Sequence, residues 1–187
     1  MSFAYVTAEN GVDARARVTE AFNYLKASDL ATGIIEGIAA APEIVTIKVG
    51  AGLADIYLYP KAGSGRTSGG LVEWDPDLTL DVIDKAKARP QVPWVKDHTK
   101  RHGFLWLKKK RVDRHGTISA AMALMHELGH AHQYLTDKEG YEAEIQKNKY
   151  LRCLEDTNCA AVENTICLEL NARGANEGIR WDYYHLK

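Results

Sequence analysis

The sequence predicts an α+β fold: a small, mostly antiparallel sheet packed on two core helices, with a helical segment in front. Three observations carry this. Apolar residues follow helical spacing over residues 11–41, alternate over residues 43–76, and return to helical spacing after residue 117. The chain has 187 residues, the size of one domain. Its 45% hydrophobic and 26% charged content is that of a folded globular protein, which excludes a disordered chain, a collagen and a coiled coil. With 24 Lys and Arg against 25 Asp and Glu, the net charge is -1, unlike the strongly basic balance of a dedicated nucleic-acid binder.

In the N-terminal helical segment, residues 1–42, Val18, Phe22 and Leu25 fall at i, i+4 and i+7 and share a face. Ser28 and Asp29 offer caps for a second helix carrying Leu30, Ile34, Ile35 and Ile38, and Pro42 stops it. The sheet is expected over residues 43–76. Val45, Ile47 and Val49 alternate with polar neighbours, and Gly50 to Gly52 break the run. Ile56 and Leu58 form the next run, closed by Pro60. A Gly/Ser-rich connector, Gly63 to Gly70, leads to Leu71-Val72-Glu73-Trp74, cut by Asp75-Pro76. Leu71–Trp74 is the candidate edge strand, available for pairing with an extended substrate; Trp74 fits either core or cleft wall.

Residues 90–114 show no clear period. Lys108-Lys109-Lys110-Arg111 reads as a solvated loop, or as a patch for an acidic partner. From residue 117 to 187 a helical core is expected. Ser119 can cap a helix running to about Leu135, and a further helix is expected from about Tyr150 to Asn171. Gly174 and Gly178 break the pattern before an aromatic tail, Trp181 to His185. No apolar run approaches the ~20 residues of a membrane span. Met1 to Asn10 lacks the basic and apolar regions of a Sec signal peptide. Cys153, Cys159 and Cys167 fit a reducing compartment better than a disulfide framework, and read as buried small apolar residues.

The chemistry lies in His126-Glu127-Leu128-Gly129-His130, an H-E-x-x-H inside a predicted helix. Positions i and i+4 share a helix face, so both imidazoles can reach one zinc ion at about 2.0–2.1 Å. Glu127 is then beside the metal as a general base. A catalytic zinc commonly takes three protein ligands. His132, at i+2, points across the helix. On the next helix Asp156, Ala160, Glu163 and Cys167 share a face, which suits one ligand and one carboxylate partner for a ligand histidine. Glu155 shares a different face with Cys159, Val162 and Ile166. Arg180 and Tyr183 form an Arg-x-x-Tyr, a cation and a phenol suited to an oxyanion.

Four ordered blocks carry a resemblance over about residues 69–184. They are Leu71-Val72-Glu73-Trp74-Asp75-Pro76, Met125-His126-Glu127-Leu128-Gly129-His130-Ala131, Glu155-Asp156 leading to Glu163-Asn164, and Ile179-Arg180-Trp181-Asp182-Tyr183. In these the chain resembles the NleD-like zinc metallopeptidase effectors of bacteria, and its layout is similar to that of clostridial neurotoxin light chains. The resemblance implies a zincin-like domain with one catalytic zinc on His126, His130 and a downstream acid. Glu127 is then the base, and Arg180 and Tyr183 assist the transition state. The position before Glu163-Asn164 favours Asp156 as the third ligand, with Glu155 and Glu163 as alternatives, since the family usually has Glu there. Asn164 is followed by Thr-Ile-Cys where the family has an arginine-bearing run.

The resemblance further implies a protein substrate in a target cell, a monomer delivered there by a non-Sec route, and an immunity partner. A different class stays open: a non-catalytic, zinc-stabilised protein-binding module, with His132 or a cysteine as fourth ligand. So does a hydrolase of non-peptide amides.

Overall fold

The computed structural model describes residues 3–8, 12–83, 115–147 and 152–180. The basic run 108–111 and the tail with Tyr183 lie outside the described residues, as do the side chains of Cys153 and Asp156. The fold is mixed, with helices around a small sheet.

The first strand was not expected. Phe3–Thr7 (β1) pairs parallel with Val45–Val49 (β2), Phe3 facing Val45. Between them run two helices, Ala14–Leu25 (α1) and Asp29–Ala40 (α2). A helical crossover of this length brings the chain back in the same direction, hence a parallel pair. Ile56–Leu58 (β3) and Leu71–Trp74 (β4) pair antiparallel, and β4 inserts beside β2 in parallel. The order is therefore β1-β2-β4-β3. Two of its three pairings are parallel, which corrects the expectation of a mostly antiparallel sheet. It also corrects the choice of edge. Leu71–Trp74 is interior, paired on both sides, and the edge strands are β1 and β3. A separate antiparallel pair, Leu80–Ile83 (β5) and His115–Ile118 (β6), leads into the next helix.

The caps sit where the sequence offers them. The Ser28 hydroxyl accepts the Ala31 N–H at 3.0 Å, and the Ser119 hydroxyl accepts that of Met122 at 3.3 Å. Ser119 opens the helix Ala120–Thr136 (α3), which is buried almost continuously from Met122 to Ala131. It packs against strands β3 and β4 and against the helices α1 and α2. Trp74 is core: its indole N–H donates to the Ala120 carbonyl at 2.8 Å and ties β4 to the start of α3. Lys138–Lys147 (α4) follows. The last helical stretch is Arg152–Thr157 (α5), a π-helical segment Asn158–Glu163, and Asn164–Ala172 (α6). Among the described residues no helix is long and apolar enough to cross a membrane.

Candidate metal centre

The buried middle of α3 carries the two histidines. Their rings stand one turn apart, centroids 4.9 Å from each other and edge to face. Both Nε2 atoms point at one oxygen of Glu155: Oε2 lies 2.9 Å from His126 and 3.2 Å from His130. Three donors held about 2.0–2.2 Å from a tetrahedral ion stand about 3.3 Å from one another. The spacing, and a donor set of two imidazoles and one carboxylate, therefore fit zinc. His126, His130 and Glu155 form a buried to half-buried group able to hold a metal ion.

Glu155, weighed in the sequence as an alternative to Asp156, stands with the two histidines, while the Asp156 side chain lies outside the described residues. The π-helical segment accounts for the place of Glu155. A π-turn is one extra residue inside an α-helix, so the face assignments upstream of it shift by one. On a regular helix Asp156 would share the face of Glu163; through the π-segment Glu155 does. Asn158 opens this segment, fully buried, and its Nδ2 donates to the His126 carbonyl at 2.6 Å. It fits against α3 because position 129 is glycine. A Cβ there would stand 2.3 Å from Asn158 Oδ1.

Behind the histidines a second layer fixes their rings. His126 Nδ1 lies 3.1 Å from Glu163 Oε2, so with Nε2 facing the metal position Nδ1 carries the proton and donates it to Glu163. His130 Nδ1 is 3.3 Å from Gln133 Oε1 on the same helix and donates likewise. Arg180 donates to both oxygens of Glu163, its Nε–H to Oε1 at 2.7 Å. Both partners are almost fully buried, Arg180 at 2% and Glu163 at 1% exposed. Two contacts bring Arg180 there. The Asn164 amide donates to the Arg180 carbonyl at 3.1 Å. Gly178 passes so close to the β5–β6 pair that a Cβ would meet Val82 at 2.7 Å and the Gly116 backbone at 3.0 Å. Glu177, just before Gly178, receives the Ser119 N–H and hydroxyl and the Tyr24 hydroxyl.

Electrostatics follow from this packing. Burial opposes charge on His126, but Cys159, Glu155 and Glu163 together hold its pKa well above the ordinary value. Burial raises Glu155, yet the two imidazoles outweigh it and bring its carboxyl down to about 2. Glu163 is also lowered: burial is outweighed by His126 and Arg180. Glu127 goes the other way. It is buried, and burial pushes its pKa up despite both histidines. Its Oε2 accepts the Tyr57 N–H at the sheet edge at 2.6 Å.

Glu127, His126, Glu163 and Arg180 line a cavity of about 120 Å³, lined on its other sides by Asp55 and apolar residues. Larger hollows, of about 440, 580, 520 and 290 Å³, lie elsewhere and contain none of the three donors. Asp55 has its pKa raised to about 6, by burial against the N–H of Asp75 and with the charge of Asp75 adding. Tyr141 on α4 stands with its ring 6.5 Å from that of His130, and burial with the charges of Glu127 and Glu155 raises its phenol. Sequence reading missed Tyr57, Gln133, Asn158, Tyr141 and Asp55. His132, set aside in the sequence as a ligand, packs against Gly37 on α2. Cys159 and Cys167 are buried, and Cys159 forms a second possible donor group with His126 and Glu163.

No protein-family model, no curated protein and no solved structure matches this chain.

Proposed function

We propose that the chain is a zinc-dependent endopeptidase of the zincin type. The observation that carries this is the convergence of the His126 and His130 Nε2 atoms on one Glu155 oxygen, with the buried Glu127 carboxyl in the wall of the adjoining cavity. Zinc held by these three residues would supply a Lewis acid for a carbonyl oxygen and an acidified water.

The protein's own groups do the rest. Glu127 has one oxygen fixed by the Tyr57 N–H, which leaves Oε1 to take a proton from the attacking water and pass it to the leaving amine. Its raised pKa brings it closer to neutrality, as a group that must both accept and return a proton requires. Arg180, in the same cavity wall, brings positive charge for a developing oxyanion while Glu163 holds it in place. Tyr183, its expected companion, lies outside the described residues. Glu163 and Gln133 keep the imidazoles oriented. In the second donor group among the described residues, His126 with Cys159 and Glu163, the Arg180 guanidinium already holds Glu163, which favours a metal on the Nε2 side. Three converging donors leave a coordination position for substrate, which supports catalysis over a closed structural site. Delivery into a target cell as an effector or toxin module, and an immunity partner, rest on the four sequence blocks and belong to the same proposal.

The test is Glu127→Gln. Zinc content should stay at the wild-type level, while the formation of new protein N-termini in a cell lysate should fall about 10²–10⁴-fold. Near-wild-type cleavage by Glu127→Gln would overturn the assignment.

A further inference from the structure

We propose that Asp55 is a specificity-determining residue, which receives a cationic side chain of the substrate residue beside the bond to be cut. The inference rests on the endopeptidase reading of the site. Asp55 lines the same cavity as His126 and Glu127, one residue before the edge strand β3. Among the described residues it is the one non-glycine position with a left-handed backbone, φ +45°. Such a conformation persists where surrounding contacts enforce it, and it gathers at functional sites.

Those contacts are present. Asp55 Oδ1 accepts the Asp75 N–H at 2.7 Å, and Asp75 Oδ2 in turn accepts the Gly52 N–H at 2.7 Å. The turn is locked from one side, and the other carboxyl oxygen, Oδ2, is buried with no hydrogen-bond partner. Of the other acids in the wall, Glu127 has one oxygen on the Tyr57 N–H and keeps the other for its proton, and Glu163 is paired with Arg180. Asp55 Oδ2 is the one carboxyl oxygen among the described residues that is buried without a hydrogen-bond partner. Around it the wall is apolar, formed by Ala54, Leu78, Leu80 and Ile118. A methylene stem ending in a cation matches both features: the stem covers apolar surface, and the head makes a charge-assisted hydrogen bond. Lysine and arginine have that form.

The zinc-loaded protein is titrated calorimetrically with the hydroxamates of lysine, norleucine and glutamate, which engage the metal without turnover. Lysine hydroxamate should bind about tenfold or more tightly than norleucine hydroxamate, with glutamate hydroxamate weakest. Asp55→Asn keeps an acceptor for the Asp75 N–H and tolerates the left-handed backbone. It should abolish the difference, as should Asp55→Gly, which has no side chain to strain. Equal binding of the lysine and norleucine compounds to wild type overturns the inference and leaves the zinc reading intact. So does a lysine preference that survives either substitution. Failure of every hydroxamate to bind the zinc-loaded wild type overturns the open-site reading, and this inference with it.

Discussion

Replacing Gly129 by alanine tests the contact that sets the whole site, the seat of Asn158 against the helix that carries the two histidines. A Cβ at position 129 would stand 2.3 Å from Asn158 Oδ1, 3.0 Å from Cγ and 3.1 Å from Nδ2. In an exposed helix the change would stabilise by about 1 kcal/mol. Here the clash is with the end of a side chain that has nowhere to go: Asn158 is fully buried, and its amide is committed to the His126 carbonyl at 2.6 Å. Overpacking of this kind costs about 1–3 kcal/mol, and losing the buried hydrogen bond about 1–3 kcal/mol more. Against the helix gain, the net is a loss of roughly 1–5 kcal/mol, centred near 3. For a chain of this length that is a fall in Tm of about 6–12 °C. Urea and thermal denaturation of the zinc-free protein read it directly. Combining the change with Asn158→Ala makes room for the methyl, so the double variant should lose less than the two single losses summed. A Gly129→Ala protein as stable as wild type, or strictly additive losses in the double variant, would refute the reasoning.

Two further predictions concern the second layer and pH. Glu163→Ala removes the carboxylate that holds a buried guanidinium, a loss of about 3–5 kcal/mol in denaturation. It also removes the acceptor for His126 Nδ1, so competition with a chelator should show zinc affinity down about 10–100-fold, and unchanged affinity would detach Glu163 from the site. Zinc must displace a proton from His126, whose pKa in the folded protein is well above 6.5. Below that raised value each pH unit should weaken zinc binding about tenfold for this proton. In the zinc-free protein the same shift stabilises fully below 6.5 and is lost as pH rises through the folded value. The lowered Glu155 stabilises above 4.5 and is lost as pH falls towards about 2. The rise in Tm on adding zinc should therefore grow from acid to alkaline pH, and a rise that is flat with pH would contradict the role of His126.

What could be read in the sequence was local. The serine caps of α2 and α3 and the i, i+4 histidines are written in a few adjacent residues, and the structure has them there. Partners were harder. Phe3–Thr7 is five residues with little periodicity, and it becomes a strand by pairing with Val45–Val49 across two helices. That long-range pairing makes the sheet largely parallel and puts Leu71–Trp74 inside it. Helical periodicity assigned Asp156 to the face of Glu163; the π-segment at Asn158–Glu163 moves Glu155 there, and no residue type announces an extra residue in a turn. Tyr57 contributes a main-chain N–H to Glu127, which any residue at that position could supply, so its side chain carried no signal. Asp55 looks like a loop acid until its left-handed backbone and buried oxygen are seen.

The most direct test of the central claim is the metal content of purified protein after supplying zinc, for wild type, Glu155→Ala and Asp156→Ala. The account predicts about one zinc per chain in wild type and in Asp156→Ala, and its loss in Glu155→Ala. No zinc in wild type, or zinc kept in Glu155→Ala and lost in Asp156→Ala, would contradict it.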